Sequence, residues 1–475
     1  MTKRNDSLLL AAGVLGAFGA GLAAGKALVR STPATADTLP QASILDTIAL
    51  GLEVFAPAVA KGAIIRRPKV VGIAERLALD RRAVQRMQKL RNKYGEGPLM
   101  LRLPIRKQAV VLAPAHVHRV LNESPDPFSP ASSEKRAALS HFEPKGVLIS
   151  QGEERTERRA YNEAVLDHRQ AVHSLVDSFL PKVEEEAGRM LAIARRRGEL
   201  DWDAFARGWY RLVRRVVFGE TAADDQELND LTVKLRRNAN WAVFHPKDRQ
   251  AQARFFERID TYLARAEAGS LAGMMAGMPA TSAMVDVAPA QQVPQWLFAF
   301  DAAGMTTFRA LALLATHPDQ AVRARKDMRS DPGKQHLPFL RATVLEAVRL
   351  WPTTPMILRQ TTRETQWDNG TMPPKTGVLV YAPFFHRDDQ RLPHADLFTP
   401  ELWLKERSDK DWPLVPFSEG AAGCPGRNLV LLLASSMLAT LLDGRAVELA
   451  PGRRLDPARL PGTLDNYTLR FKFTE

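Results

Sequence analysis

The sequence predicts a mainly α-helical protein with a small β-rich lobe. From Ile73 to Tyr94, apolar residues recur at helical spacing. Val293 to His317 and Leu429 to Leu442 are long, mainly apolar runs of helical length. Between Leu99 and Leu112, two short apolar runs flank Pro104 and Lys107, a pattern typical of a β-hairpin.

Composition limits the class of protein. A chain of 475 residues with 45% apolar residues can bury a large core, in one domain or several. A single cysteine excludes an intramolecular disulfide and cysteine-rich zinc sites. The net charge of +13 suits nucleic acid, anionic lipid or an acidic protein partner. Because no helix-turn-helix, zinc-finger or RNA-binding signature is present, we expect no nucleic-acid partner.

The only cysteine lies in a glycine-rich loop, Pro416 to Asn428, directly before the apolar run Leu429 to Leu442. A thiol at a helix N-terminus is stabilised as the thiolate, which is the form that binds metal. The glycines Gly420, Gly423 and Gly426 permit backbone torsions that side chains forbid and allow a flat ligand to come close. The alternative is a small buried hydrophobic residue without chemistry.

The loop resembles the haem-binding loop of the cytochrome P450 family. The matching residues are Phe417, Gly420, Cys424 and Gly426, in the pattern Phe-x-x-Gly-x-x-x-Cys-x-Gly. The resemblance implies heme b with Cys424 as the iron ligand. It also implies a cytochrome P450-like fold, with the haem between a distal helix and the cysteine loop.

The resemblance further implies a monooxygenase that oxidises a lipophilic small molecule with dioxygen. Because the chain contains no flavin or nicotinamide domain, electrons are expected from a separate donor, a ferredoxin or a reductase. A peroxide-using, isomerase or dehydratase-type haem-thiolate enzyme is the first alternative. A non-enzymatic haem sensor is the second.

Three arginines are expected to bind the haem propionates. Arg155 and Arg159, four residues apart, occupy the positions of a family Trp or His and an Arg, although a solvated helix face is the alternative. Arg359 matches a propionate-binding arginine on a strand. Ala422 departs from the family pattern, where Arg or His is common, and this places more weight on the three arginines.

Within Val293 to His317, a segment resembles the family's distal helix motif. Ala303, Gly304 and Thr307 match, and small residues there let the haem lie against the backbone. Thr306 stands where the family has an acid. Proton delivery is therefore expected through Thr307, with Thr306 and water. Asp301 lies well round the helix and is a doubtful substitute.

A third motif pairs Glu346 with Arg349 in an apolar setting. At i and i+3 the two side chains face the same way, and when buried each charge requires the other. The pair resembles the family's Glu-x-x-Arg, which braces the thiolate loop. Leu402 stands where an arginine normally completes this group, so that partner is absent or comes from elsewhere.

Residues 1–30 are predicted to be a membrane anchor. Ser7 to Gly25 carries no charge and is about 28 Å long as a helix, near the thickness of a bilayer core. A cleaved signal peptide with Ala34-Thr35-Ala36 as cleavage site, or a disordered tail, are the alternatives. A slight excess of basic residues after the segment favours a membrane-associated protein with a cytosolic catalytic domain.

Residues 31–70 are predicted to form a linker and an interfacial amphipathic helix. The helix, Ile44 to Ile65, would end in the basic cluster Arg66-Arg67-Pro68-Lys69 facing anionic headgroups. An ordinary helix packed on the domain is equally consistent. The haem-thiolate catalytic domain would then comprise residues 71–475.

Overall fold

The computed structural model describes residues 38–104, 106–242, 245–278 and 286–474. The predicted anchor, residues 1–30, lies outside the described residues. The α-helices are α1 (Ile44–Leu50), α2 (Ala56–Ala60), α3 (Pro68–Arg76), α4 (Leu79–Tyr94), α5 (Pro114–Asn122), α6 (Ser133–Leu139), α7 (Gly152–Val165), α8 (Val176–Arg197), α9 (Trp202–Phe218), α10 (Gln226–Ala239), α11 (Arg249–Arg265), α12 (Leu271–Ala276), α13 (Val293–Thr316), α14 (Pro318–Ser330), α15 (Pro338–Leu350), α16 (Ala382–His386) and α17 (Arg427–Leu442).

The strands form small sheets at the edge of the helices. They are β1 (Leu99–Leu101), β2 (Gln108–Val110), β3 (Phe128–Ser129), β4 (Leu200–Asp201), β5 (Met356–Thr361), β6 (Thr365–Trp367), β7 (Gly370–Met372), β8 (Gly377–Tyr381), β9 (Ala446–Leu449) and β10 (Arg470–Thr474). The largest sheet has the order β1-β2-β8-β5-β3, and the others are β4-β10-β9 and β6-β7. The predicted hairpin is confirmed: β1 and β2 pair antiparallel, with Leu99 opposite Val110.

Long helices that pack on one another form the main hydrophobic cluster, which includes α8, α9, α13, α15 and α17. Leu432, Leu433 and Leu438 of α17 are completely buried, as expected for a helix that is apolar all round. The segment Pro289–Thr316, which contains α13, is the one described helix long and apolar enough to cross a membrane. Its most apolar window is 78% buried inside the protein, which is typical of a core helix. These elements confirm the predicted fold class.

The run Ile73 to Tyr94 is not one helix, as predicted, but two. The helix α3 ends at Arg76, and α4 begins at Leu79 after Ala78, whose φ of 49° is left-handed. A residue in that conformation cannot continue an α-helix, so the chain turns there. The apolar spacing does not reveal this break because both helices bury one face.

The predicted helix Ile44 to Ile65 is also divided, into α1, a π-helical turn (Gly51–Phe55) and α2. One face packs on the domain through Leu50 and Val54, while Leu45 is 78% exposed on the other face. Part of the expected basic cluster points inward. Arg66 donates to the carbonyl oxygens of Gly62 and Thr353, and Arg67 to those of Val59 and Ala60. These two guanidiniums are therefore not free for headgroups as the sequence had suggested.

A buried ion pair in α15 holds the chain that leads to the cysteine loop. Arg349 Nη2 lies 2.6 Å from Glu346 Oε1, and both side chains are completely buried. Arg349 also donates to the carbonyl oxygens of His386, Ala395 and Leu397. The imidazole of His386 in turn accepts the N–H of Val415, just before the loop, at 3.0 Å.

Trp403 occupies the place left by the missing arginine at Leu402. Its indole N–H donates to Glu346 Oε2 at 2.8 Å, and the backbone N–H of Thr399 donates to Oε1 at the same distance. All four oxygen contacts of Glu346 are therefore supplied by Arg349 and this segment. The partner does come from elsewhere, one residue further along the chain.

We expect Trp403→Phe to lower the free energy of unfolding by about 1–3 kcal/mol, because a buried carboxylate loses a hydrogen-bond donor. The measurement is urea unfolding followed by circular dichroism. Trp202→Phe is the matched control, since the indole N–H of Trp202 has no hydrogen bond among the described residues. An equal loss of stability in the two variants would contradict the bracing role of Trp403.

Candidate functional site

The cysteine loop packs tightly against the end of α5. Gly420 has a φ of +64°, and a Cβ at this position would lie 2.3 Å from the carbonyl oxygen of Leu121. Only glycine fits there. Gly426 is different: its φ is −91°, and a Cβ would meet Leu166 at an ordinary 3.7 Å. The prediction that the backbone torsions require glycine is therefore confirmed at Gly420 and is wrong at Gly426.

Cys424 lies at the turn of this loop, half-buried, with its backbone N–H donating to the carbonyl oxygen of Phe417 at 2.9 Å. Burial raises the pKa of the Cys424 thiol above its ordinary value. The N–H of Gly426 and the charges of Arg159 and Arg427 oppose this effect without overcoming it. The thiolate form of Cys424 stays a prediction, and coordination to a metal ion would deprotonate the thiol outright.

The two arginines of α7 do not share one target. Arg159 donates to the carbonyl oxygen of Gly423 at 2.6 Å and pairs with Glu163, so it holds the cysteine loop. Arg155 is buried, 6% exposed, and donates to the carbonyl oxygen of Val147 at 2.9 Å. The solvated helix face considered as an alternative is excluded for Arg155. Binding of a propionate by either residue remains a prediction.

Arg359 and Lys135 lie together with Arg155 in a positively charged cluster, in which both arginines are buried and Lys135 is half-buried. Arg359 Nη1 and Lys135 Nζ donate to the same carbonyl oxygen, that of Leu358, at 3.0 and 3.2 Å. Arg359 also donates to Ser124 Oγ and Ser418 Oγ. None of the three cations forms an ion pair with a carboxylate in the described part of the chain. We call Lys135, Arg155 and Arg359 the cation cluster.

Burial without a counter-ion changes the proton affinity of the cation cluster. Desolvation lowers the pKa of Arg155 and of Arg359 to about 10. Desolvation, followed by the charges of Arg359 and Arg155, lowers the pKa of Lys135 well below its ordinary value. The nearest acid of the loop does not compensate, because Glu419 lies 2.9 Å from His118 Nδ1.

Such a cluster fits an anionic group that enters from outside the chain. Buried cations are stable when an anion pairs with them. Haem carries two carboxylates and an iron that accepts a thiolate, so the cation cluster and Cys424 together suit its two kinds of polar contact. Lys135 gives no signal in the sequence, since it lies in a short polar helix without a motif.

On the distal helix α13, the residues with partly accessible side chains differ from those that the motif predicted. Apart from Ala315 and Thr316 at the end of the helix, they are Gln295, Phe298, Ala299 and Ala302, spaced to lie along one face of an otherwise buried stretch. We call these four residues the distal stripe. Helical spacing of partly accessible residues within a core helix indicates that this face borders open space.

Thr306 and Thr307 are buried, 3% and 0% exposed. Their hydroxyls donate to carbonyl oxygens of their own helix, those of Ala302 at 3.0 Å and Ala303 at 2.8 Å. The structure therefore does not bring the two hydroxyls to an accessible surface. Their role in proton delivery stays a prediction.

Ala303 and Gly304 are also buried against protein. Ala303 is 3% exposed. A Cβ at Gly304 would lie 2.7 Å from the indole of Trp209, whose N–H donates to the carbonyl oxygen of Phe300. Glycine was expected at this position because a haem would come close to the backbone. In the structure, the packing of Trp209 on helix α9 leaves no room for a side chain. The α9 tryptophan gave no signal in the sequence.

Two acidic side chains, Asp301 on α13 and Glu143 nearby, already have hydrogen-bond partners. Asp301 accepts hydrogen bonds from Tyr210 and from Arg236 Nη2, the latter at 2.6 Å. Glu143 is completely buried, and burial raises its pKa well above the ordinary value. With the side-chain amide of Gln295 oriented to satisfy both groups, its nitrogen lies 2.8 Å from Glu143 Oε1. Glu143 thus contacts the distal stripe through Gln295, and its burial favours the neutral form.

Part of the chain resembles a known protein family in sequence. Residues 288–464 match the profile of the family described as Cytochrome P450. Sugiol synthase from Salvia miltiorrhiza is 32% identical over 27% of this chain and 29% of its own length. Methyltetrahydroprotoberberine 14-monooxygenase from Papaver somniferum is 28% identical over 34% of each chain. The chain thus matches about a third of the length of these curated relatives.

Solved structures show the same fold over most of the chain. A structure described as cytochrome P450 CYP102L1 superposes with a TM-score of 0.69 at 19% identity, covering 92% of this chain and 99% of that one. Retinoic acid bound cyanobacterial CYP120A1 superposes with a TM-score of 0.65 at 18% identity, covering 82% and 93%. Together with the cysteine loop and the Glu346–Arg349 brace, these likenesses show that the chain has a cytochrome P450-like fold, and residues 288–464 match the Cytochrome P450 family model.

Proposed function

We propose that this protein is a haem-thiolate monooxygenase that oxidises a lipophilic small molecule. The observation that carries the proposal is a half-buried thiol, Cys424, in a braced loop, together with buried cations that have no carboxylate partner. Haem bound through a thiolate uses dioxygen, two electrons and two protons to insert one oxygen atom into a substrate and release the other as water. The monooxygenase from Papaver somniferum supports this reaction class by its name.

In this proposal each residue of the site has its own role. Cys424 would hold the iron, and Arg155, Arg359 and Lys135 would hold the propionates. Arg159 fixes the loop through the carbonyl oxygen of Gly423. The distal stripe forms a largely apolar wall that would exclude water and accept an apolar substrate. Phe417 packs beside the loop at the edge of the main core.

Electrons would come from a separate acidic protein. The exposed Arg427, directly after the loop, and the net charge of +13 favour such a partner. We further propose membrane association through the N-terminal segment with a cytosolic catalytic domain. The exposed apolar side chains Ile44, Leu45 and Leu52 on the first helices support contact with a lipid surface.

One observation favours a second candidate, a peroxide-using enzyme of the same family. The residues of the distal stripe carry no acid or hydroxyl themselves, the adjacent Glu143 is bound to the amide of Gln295, and the hydroxyls of Thr306 and Thr307 are bonded within the helix. Proton delivery to bound dioxygen needs such groups, whereas peroxide brings its protons with it. Turnover with peroxide and none with dioxygen and an electron donor would select this candidate.

The thiolate ligand is tested by the visible spectrum of the reduced protein with carbon monoxide. We expect a strongly red-shifted Soret band in the wild type, because a thiolate donates charge to the iron. Cys424→Ala should lose the shift, while Thr440→Ala on the same helix, far from the loop in sequence, should keep it. A wild-type spectrum typical of an imidazole ligand would contradict the proposal.

The cation cluster is tested by Lys135→Met, for which opposite effects are expected with and without haem. Because the pKa of Lys135 is lowered, the folded chain binds this proton more weakly than the unfolded chain, and the charge destabilises the haem-free fold near neutral pH. The variant should therefore unfold at higher urea concentration when haem-free. This gain should shrink as the pH approaches the ordinary lysine value.

In the holoprotein, Lys135→Met should release haem to an acceptor protein about tenfold faster, because a charge-assisted hydrogen bond is lost. Arg136→Met, an exposed residue of the same helix, is the control and should change neither quantity. An unchanged rate of haem release in Lys135→Met would show that this lysine does not bind haem.

A further inference from the structure

A second polar cavity lies away from the cysteine loop. It has a volume of about 60 Å³ and is bordered by the start of α4, the end of α15 and the loop around Thr463. It shares no residue with the cysteine loop, the cation cluster or the distal stripe. A space of this size holds several water molecules and thus also a tetrahedral oxyanion.

The lining of the cavity carries more positive than negative charge. Its cationic side chains are Lys61, Arg66, Arg81, Arg309 and Arg387, against the carboxylates of Asp80, Asp389 and Asp396. All three carboxylates already have partners. Lys61 pairs with Asp80, Arg387 pairs with Asp396, and Arg81 lies 3.8 Å from Asp389.

Arg66 and Arg309 are the two cations of this lining that form no ion pair with a described carboxylate. Arg66 donates to the carbonyl oxygens of Gly62 at 2.7 Å and Thr353 at 2.5 Å. Arg309 donates to the carbonyl oxygen of Trp351 at 2.8 Å and to Asn466 Oδ1 at 3.0 Å. Its Nε has no hydrogen-bond partner, although the side chain is only 7% exposed.

The electrostatics of this pair favour an additional anion. The pKa of Arg309 is lowered to about 10: desolvation is the largest cause, and the like charge of Arg66 acts in the same direction, while Tyr467, Asp80 and Asp465 oppose them. Neutral carbonyl groups satisfy hydrogen bonds but do not compensate charge. An oxyanion would supply both a counter-charge and acceptors for the guanidinium N–H groups.

We propose that this cavity binds a small oxyanion between Arg66 and Arg309, separate from the haem site. The shared chemistry is a phosphate-type ion or the carboxylate end of a larger ligand. This inference does not depend on the proposed monooxygenase activity. Arg309 belongs to the distal helix α13, so the oxyanion would contact a helix of the protein core.

The test is calorimetric titration of the haem-loaded full chain with sodium phosphate, in chloride buffer of matched ionic strength. We expect saturable binding to the wild type and at least tenfold weaker binding to Arg66→Gln and to Arg309→Gln. Arg329→Gln, an exposed arginine on α14, is the control and should bind as the wild type does.

Absence of saturable phosphate binding, or unchanged binding by Arg66→Gln, would overturn the proposal. If Arg309→Gln does not fold, phosphate binding by Arg66→Gln tests the proposal alone, because Arg66 is only half-buried. Titration with decanoate in the presence and absence of phosphate identifies the source of the oxyanion. Competition would assign the cavity to carboxylate ligands as well, and phosphate binding without competition would assign it to the inorganic ion.

Discussion

The buried ion pair between Glu346 and Arg349 is the interaction on which the site depends. Both side chains are inaccessible to solvent, so neither charge is tolerable without the other. Their remaining hydrogen-bonding groups are directed to the chain between His386 and Trp403, and His386 connects to Val415. Helix α15 thereby positions a long, mostly irregular segment, in which Pro400–Trp403 forms a 3-10 helix, and the cysteine loop begins where that segment ends.

Charge is distributed unevenly inside this basic protein. Most of the buried arginines have a partner, as Arg236 has Asp301. The exceptions are the cation cluster, Arg66 and Arg309, and also Arg214, which donates to the carbonyl oxygens of Ala222 and Ala223. These cations are bound only to hydroxyl, amide or carbonyl oxygens. Positive charge that the chain itself does not neutralise indicates ligands of opposite charge. For the cation cluster, we propose that the two carboxylates of haem are these groups.

The motifs predicted some positions better than others. Cys424, Glu346 and Arg349 are local features whose spacing alone limits their geometry, and they lie where the sequence suggested. Trp403 could have been found, since it follows Leu402, but a tryptophan is not an obvious replacement for arginine. The surroundings of Ala303 to Thr307 are harder to predict, because several faces of a buried helix carry small residues. The sequence does not show which of these faces borders a cavity. Gly304 illustrates this: its neighbour is Trp209, about ninety residues away in the chain.

The sequence by itself determined the helical class, the hairpin, the cysteine loop and the buried pair on α15. These depend on periodicity and on contacts within a few residues, which a linear pattern records. Only the tertiary structure decided that α3 and α4 are separate, that Arg66 points inward and that Lys135 joins Arg155 and Arg359. It also decided which face of α13 is accessible. Each of these depends on contacts between residues far apart in the chain, whose distances follow from how the helices pack and not from the order of the residues.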